Sequence, residues 1–200
     1  MEQVTYDAFI SYSHSDPDAQ IARKLHSLLE HYHIPKKIQR ITGKKRFARV
    51  FRDREELTLS PDLGANIKSA LEHSEFLIVV CSPRSVKSEW VQKEIRTFLE
   101  SHEKEKILAI LADGEPEEAF PGILCYREEK RVLENGEEVV VRIETEPMAA
   151  DVRGKDQKER DHKLKQEFLG IAAPIISCTY DSMRQRHREY MFRRMMAAAG

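Results

Sequence analysis

Phe76-Leu77-Ile78-Val79-Val80-Cys81 is an unbroken apolar run. A strand with one wet face alternates between apolar and polar residues. A strand without that alternation is covered on both faces, as helices cover a parallel sheet. Working outward, Val4 to Ile10 is β-branched and aromatic and reads as a first buried strand. Ser15-Asp16-Pro17 supplies a cap and a first-turn proline for a helix carrying Ile21, Ala22, Leu25, Leu28, Leu29 and Tyr32 at helical spacing, which Pro35 ends. A basic loop leads to a second short strand, Phe47 to Phe51. The next loop runs from Arg52 to Ser60, and Ser60-Pro61 opens a helix carrying Leu63, Ile67, Ala70 and Leu71. Ser88 to about Glu100 is a further helix, and Ile107 to Leu111 is the fourth strand. Strand and helix alternate over this whole length, so the units are βαβ.

Beyond residue 120 the pattern loosens. Asn135-Gly136, between Arg131-Val132-Leu133 and Val139-Val140-Val141, is a hairpin signal and reads as an insertion. Pro147 to Val152 is the candidate fifth strand, Lys155 to Ala172 a helix with Leu164, Phe168, Leu169 and Ala172 inward, and Tyr180 to Met196 a last helix. The domain expected is 1–178, followed by a basic helix over 179–200. The ordinary reading of Arg184, Arg186, His187, Arg188, Arg193 and Arg194 is a solvated helix face. A sharper one is a junction to a region absent from this chain, or to a membrane surface.

At 200 residues and net charge −1, the chain fits one domain with no global field to steer nucleic acid or anionic lipid. Cys81, Cys125 and Cys178 are far apart, with no CxxC or Cys/His spacing, so no metal is expected. Their odd, sparse count suits a reducing cytoplasm. Met1 is followed by Glu2 and soon by a strand, so no signal peptide is read. There is no GxGxxG for a dinucleotide-dependent dehydrogenase and no GxSxG elbow for a serine hydrolase.

Four motifs, in order, carry a resemblance. They are Asp7-Ala8-Phe9-Ile10-Ser11-Tyr12-Ser13, Arg52-Asp53-Arg54-Glu55-Glu56-Leu57, Ile78-Val79-Val80-Cys81-Ser82-Pro83 and Ser88-Glu89-Trp90-Val91-Gln92-Lys93-Glu94. Together they resemble the Toll/interleukin-1 receptor (TIR) domain family. The resemblance implies an α/β fold with five parallel strands in flavodoxin-like, doubly wound order, here with the hairpin insertion and an extra C-terminal helix. It implies two possible activities. Some TIR domains are non-catalytic adaptors working by homotypic contacts. Others are NAD+ nucleosidases that cleave the nicotinamide–ribose bond, giving nicotinamide and ADP-ribose or its cyclic form, in defence or signalling. In the second case NAD+ is the substrate and no cofactor is needed. A third class, nucleoside deoxyribosyl transfer on a related fold, fits the four motifs less well.

The residues bear on the choice. At about 100° per residue with Trp90 at zero, Val91, Ile95, Phe98 and Leu99 fall between about 80° and 180°, and Glu94 falls near 40°, on the apolar arc. A carboxylate on a packed face must find a partner, a cavity or a raised pKa. The bland alternative is a rim residue paired with a nearby base. By family position Glu94 is the catalytic acid, stabilising the positive charge that gathers on the ribose. Trp90, one turn earlier, is either an apolar wall of the site or plain core. By the same resemblance Ser13 and His14 face the substrate cleft where relatives often hold basic groups for phosphate. Asp53 and Glu55 lie in a loop, 52–60, that gates the cleft and docks onto a neighbouring copy. The expected partners are therefore NAD+ and a second copy of the chain, with no nucleic acid.

Overall fold

The computed structural model describes residues 5–52, 63–133, 136–145 and 147–198. Five strands form one parallel sheet: β1 (Tyr6–Ser11), β2 (Val50–Arg52), β3 (Ser74–Cys81), β4 (Ile107–Leu111) and β7 (Ala149–Asp151), in the order β2-β1-β3-β4-β7. Two further strands, β5 (Tyr126–Val132) and β6 (Glu138–Glu144), make a separate antiparallel hairpin between β4 and β7. This is the doubly wound architecture that the apolar run of β3 requires. Phe76 is 5% exposed and Leu77 to Cys81 are fully buried. Burying each such side chain contributes about 1.5–3 kcal/mol relative to leaving it in water.

Alternation divides the core into two layers. Ala8, Ile10, Phe76, Ile78, Val80 and Ile110 point to the face covered by α1 (Asp18–Glu30), α2 (Lys36–Thr42), α7 (Gln157–Ile175) and α8 (Tyr180–Ala198). Phe9, Leu77, Val79, Cys81 and Leu111 point to the face covered by α3 (Leu63–Glu72) and α5 (Glu89–Leu99). The short helices α4 (Pro83–Lys87) and α6 (Pro116–Ala119) follow β3 and β4.

Several local expectations are corrected. Helix α1 starts at Asp18 with Pro17 at its N-cap, and no side chain caps it, so Ser15 and Asp16 do not act as expected. The Asp16 carboxylate instead accepts from Gln20 Nε2 at 2.6 Å. The basic stretch expected as a loop contains α2, which buries Ile38 alone and turns its basic residues outward. Phe47 is buried, but the pairing of β2 is confined to Val50–Arg52. The start expected at Ser60-Pro61 lies outside the described residues. On α8 the solvated-face reading holds for Arg184 and Arg188. It fails for half-buried His187, whose Nδ1 lies 3.3 Å from the Tyr32 hydroxyl.

The carboxyl ends of β1 and β3 form the point where the chain leaves adjacent strands for opposite faces. On the α1 side this divergence is bridged. Fully buried Asp18 accepts from Ser82 Oγ at 2.5 Å and from Arg84 at 3.0 Å, and Arg84 also donates to Asp113 at 2.9 Å. Gly114, at φ +80°, lets the exit of β4 approach that of β3 closely, since a Cβ there would lie 2.6 Å from Pro83 Cγ.

Burial raises the Asp18 carboxyl above its ordinary 3.8, against the opposing pull of the Ser82 and Arg84 hydrogen bonds and the Arg84 charge. Between the ordinary value and the raised one, the folded state holds a proton that the unfolded state has released. Stability present below the unfolded value is lost as pH rises through the raised one. Asp18→Asn cannot ionise. Its unfolding free energy relative to wild type should therefore shift in the variant's favour as pH rises from about 4. Urea unfolding of both proteins at pH 4 to 7 checks this, and a difference that stays flat or moves the other way contradicts it.

Candidate active site

On the opposite face of the same crevice, β1 ends at Ser11. Alternation puts Ser11 on the side of Phe9, facing α5, and its side chain is fully buried. Helix α5 is fixed at its start by Ser88, whose hydroxyl accepts from the Val91 N–H at 3.4 Å. Its buried side is Val91, Glu94, Ile95 and Phe98. Glu94 is therefore carried on the packed face, 2% exposed, and not at the rim. Ser11 Oγ donates to Glu94 Oε2 at 2.5 Å, joining residues 83 positions apart.

This arrangement presents one carboxylate at the carboxyl edge of the sheet, with a hydroxyl donor that offsets part of its desolvation. A carboxylate held in a dry site is suited to stabilise positive charge developing on a substrate. The other expected site residues vary in placement. Trp90 is half-buried and packs against the α5-side core, with Lys93 Nζ 6.0 Å from its ring centroid. Ser13 is buried, and its hydroxyl accepts from the Ser15 N–H at 3.4 Å. His14 is exposed, its ring centroid 5.0 Å from that of Tyr12. Asp53, Glu55 and the rest of the 52–60 loop beyond Arg52 lie outside the described residues.

Sequence reasoning missed Ser11 as a site residue. The alternation of β1, which places residue 11 on the face of Phe9, was the signal that could have found it. A cleft of about 500 Å³ does occur elsewhere, lined by Ile107, Leu108, Met148, Ala149, Gly170 and Pro174. It opens at the amino ends of β4 and β7, whereas ligands of open α/β sheets bind at the carboxyl ends. Among the described residues no cluster of His, Cys, Asp or Glu is fit to hold a metal ion. No helix among them is long and apolar enough to cross a membrane.

Comparison with known proteins gives the family of the chain. NAD(+) hydrolase ApTIR of Actinoplanes sp. is 36% identical over 113 residues, covering 55% of this chain and 14% of that protein. NAD(+) hydrolase TcpA of a Theionarchaea archaeon is 30% identical over 129 residues, covering 61% of this chain and 34% of that protein. The chain thus spans well under half the length of either relative. The TIR domains of the activated Roq1 resistosome, in its complex with the effector XopQ, align with a TM-score of 0.42 and 24% identity over 56% of this chain and 61% of that one. The sequence pattern of the TIR domain matches residues 8–135, from β1 through the first strand of the hairpin, and the chain belongs to the TIR domain family.

Proposed function

We propose that this chain is an NAD+ nucleosidase with Glu94 as its catalytic carboxylate. The observation that carries the reading is the burial of Glu94 at the carboxyl edge of β1, with Ser11 as its donor. Two relatives named NAD(+) hydrolases support it. In the reaction the C–N bond between ribose and nicotinamide breaks, and its electron pair moves onto the pyridinium ring. Nicotinamide leaves neutral, so no general acid is required. The positive charge passes to the ribose, as in glycoside cleavage, where the Glu94 carboxylate stabilises it and orients a ribose hydroxyl. Water then adds and loses a proton, giving ADP-ribose. If an adenine ring nitrogen of the same molecule adds instead, the product is cyclic.

Trp90 supplies an apolar wall beside the nicotinamide. Ser13 and His14 offer hydrogen bonds to the phosphates in place of fixed positive charge, and Asp53 and Glu55 come from the gating loop. That loop, 52–60, docks on a second copy, so the active form is an assembly. The setting proposed is cytoplasmic defence or signalling.

Glu94→Gln keeps the size of the side chain and an acceptor for Ser11, and it removes the charge. Nicotinamide release should fall at least about a hundredfold, while the unfolding free energy changes by no more than about 1–2 kcal/mol. A structural ion pair predicts a stability loss of about 3–5 kcal/mol instead. A non-catalytic adaptor predicts no nicotinamide from either protein. Denaturant unfolding and a nicotinamide assay on the same two samples separate the three. For the loop, Glu55→Lys should move the dependence of activity on protein concentration to higher concentration. An unchanged curve makes the loop ordinary solvated surface.

A further inference from the structure

The hairpin is outside the proposed chemistry, and its edges have no sheet partner among the described residues. Strands β5 and β6 pair from Tyr126 opposite Glu144 to Val132 opposite Glu138. A two-stranded hairpin is marginally stable in water by itself and gains from further strands. Its two outer edges differ. Strand β5 reads Arg127-Glu128-Glu129-Lys130-Arg131, charges of the kind that blunt an edge. Strand β6 carries Val139-Val140-Val141 at its centre and a single basic residue, Arg142. Val140 is 59% exposed, and Val139, Val141 and Ile143 are half-buried without belonging to either core layer.

We propose that β6 pairs antiparallel with β6 of a second copy about a two-fold axis at Val140, joining two hairpins into one four-stranded sheet. The strand is self-complementary in that register. Val140 meets its twin once, on the axis, while Val139 meets Val141 of the other copy and Glu138 meets Arg142 of the other copy, each of these two pairs occurring twice. One face then carries a cluster of four valines across the axis, and the other carries two opposite-charge pairs flanking Val140. Arg142 already donates from Nε to Glu128 at 3.2 Å. Its guanidinium has further donors to offer a second carboxylate. Neighbouring registers are worse. An axis at Val141 sets Glu138 against Glu144, and an axis at Arg142 sets Arg142 against itself, like charges that oppose pairing. The residues involved are distant in sequence from the 52–60 loop, and the proposal does not depend on NAD+ cleavage.

The test uses sedimentation velocity on wild type, Glu138→Arg, Arg142→Glu, and an equal mixture of the two variants. Each variant alone sets like charges opposite each other twice, so its self-association should weaken at least about tenfold relative to wild type. In the mixture, the all-basic edge of one meets the all-acidic edge of the other. Association there should be at least about tenfold tighter than in either variant alone. Wild type that stays monomeric at about 100 µM overturns the proposal. So do variants that associate like wild type, as contact through another surface would give, or a mixture no tighter than its components.

Discussion

Burying the Glu94 carboxylate against the end of β1 removes it from water, and the hydroxyl of Ser11 gives back one strong hydrogen bond. The contact forms only if several independent features agree. Ser11 has to fall on the face of Phe9, which the alternation of β1 ensures. The parallel register that sets Ser11 opposite Val79 has to hold. Helix α5 has to start at Ser88, so that Glu94 comes round to the inner side with Val91, Ile95 and Phe98. A slip of one residue in the strand would turn Ser11 to the α1 face.

The polar groups buried in the molecule are not spread evenly. Of the buried polar side chains among the described residues, Ser11, Ser13, Asp18, Ser82, Ser85 and Glu94 all lie about the carboxyl ends of β1 and β3, leaving Asp7 and Ser74 at the amino ends. The crevice is tied on one face by Asp18 to Ser82 and Arg84, and on the other by Ser11 to Glu94. Each tie carries a desolvation cost that an apolar pair would avoid. A fold optimised for stability alone would place leucine or valine at such positions. Concentrating this cost at the point where open α/β sheets receive ligands connects the packing to the proposed chemistry.

The sheet was legible because its central strand has no polar alternation, and the fourth strand, Ile107–Leu111, coincides with its apolar run. Glu94 was legible from the helical wheel, since one carboxylate falls on an otherwise apolar arc. The hairpin followed from the turn at Gly136, which adopts φ +83°. Other features left no local trace. Helix α2 buries a single isoleucine among basic residues, and the proline that reads as a stop for α1 is the N-cap of α2. Asp18 reads as an ordinary first-turn acid favoured by the helix dipole. Its full burial depends on Ser82 and Arg84, more than sixty positions away. Ser11 likewise finds its partner only once β1 and α5 are packed together.

The proposed chemistry depends on where the Glu94 carboxylate sits relative to the reacting sugar. A carbocyclic NAD+ analogue, whose bond to nicotinamide resists cleavage, makes that position measurable in a crystal structure of the assembled chain. The nicotinamide-side ribose should lie in the crevice at the carboxyl ends of β1 and β3, with a Glu94 oxygen at hydrogen-bond distance, about 2.6–3.2 Å, from a ribose hydroxyl. An analogue bound elsewhere, or bound there with Glu94 sealed behind Ser11 and out of reach of the sugar, would contradict it.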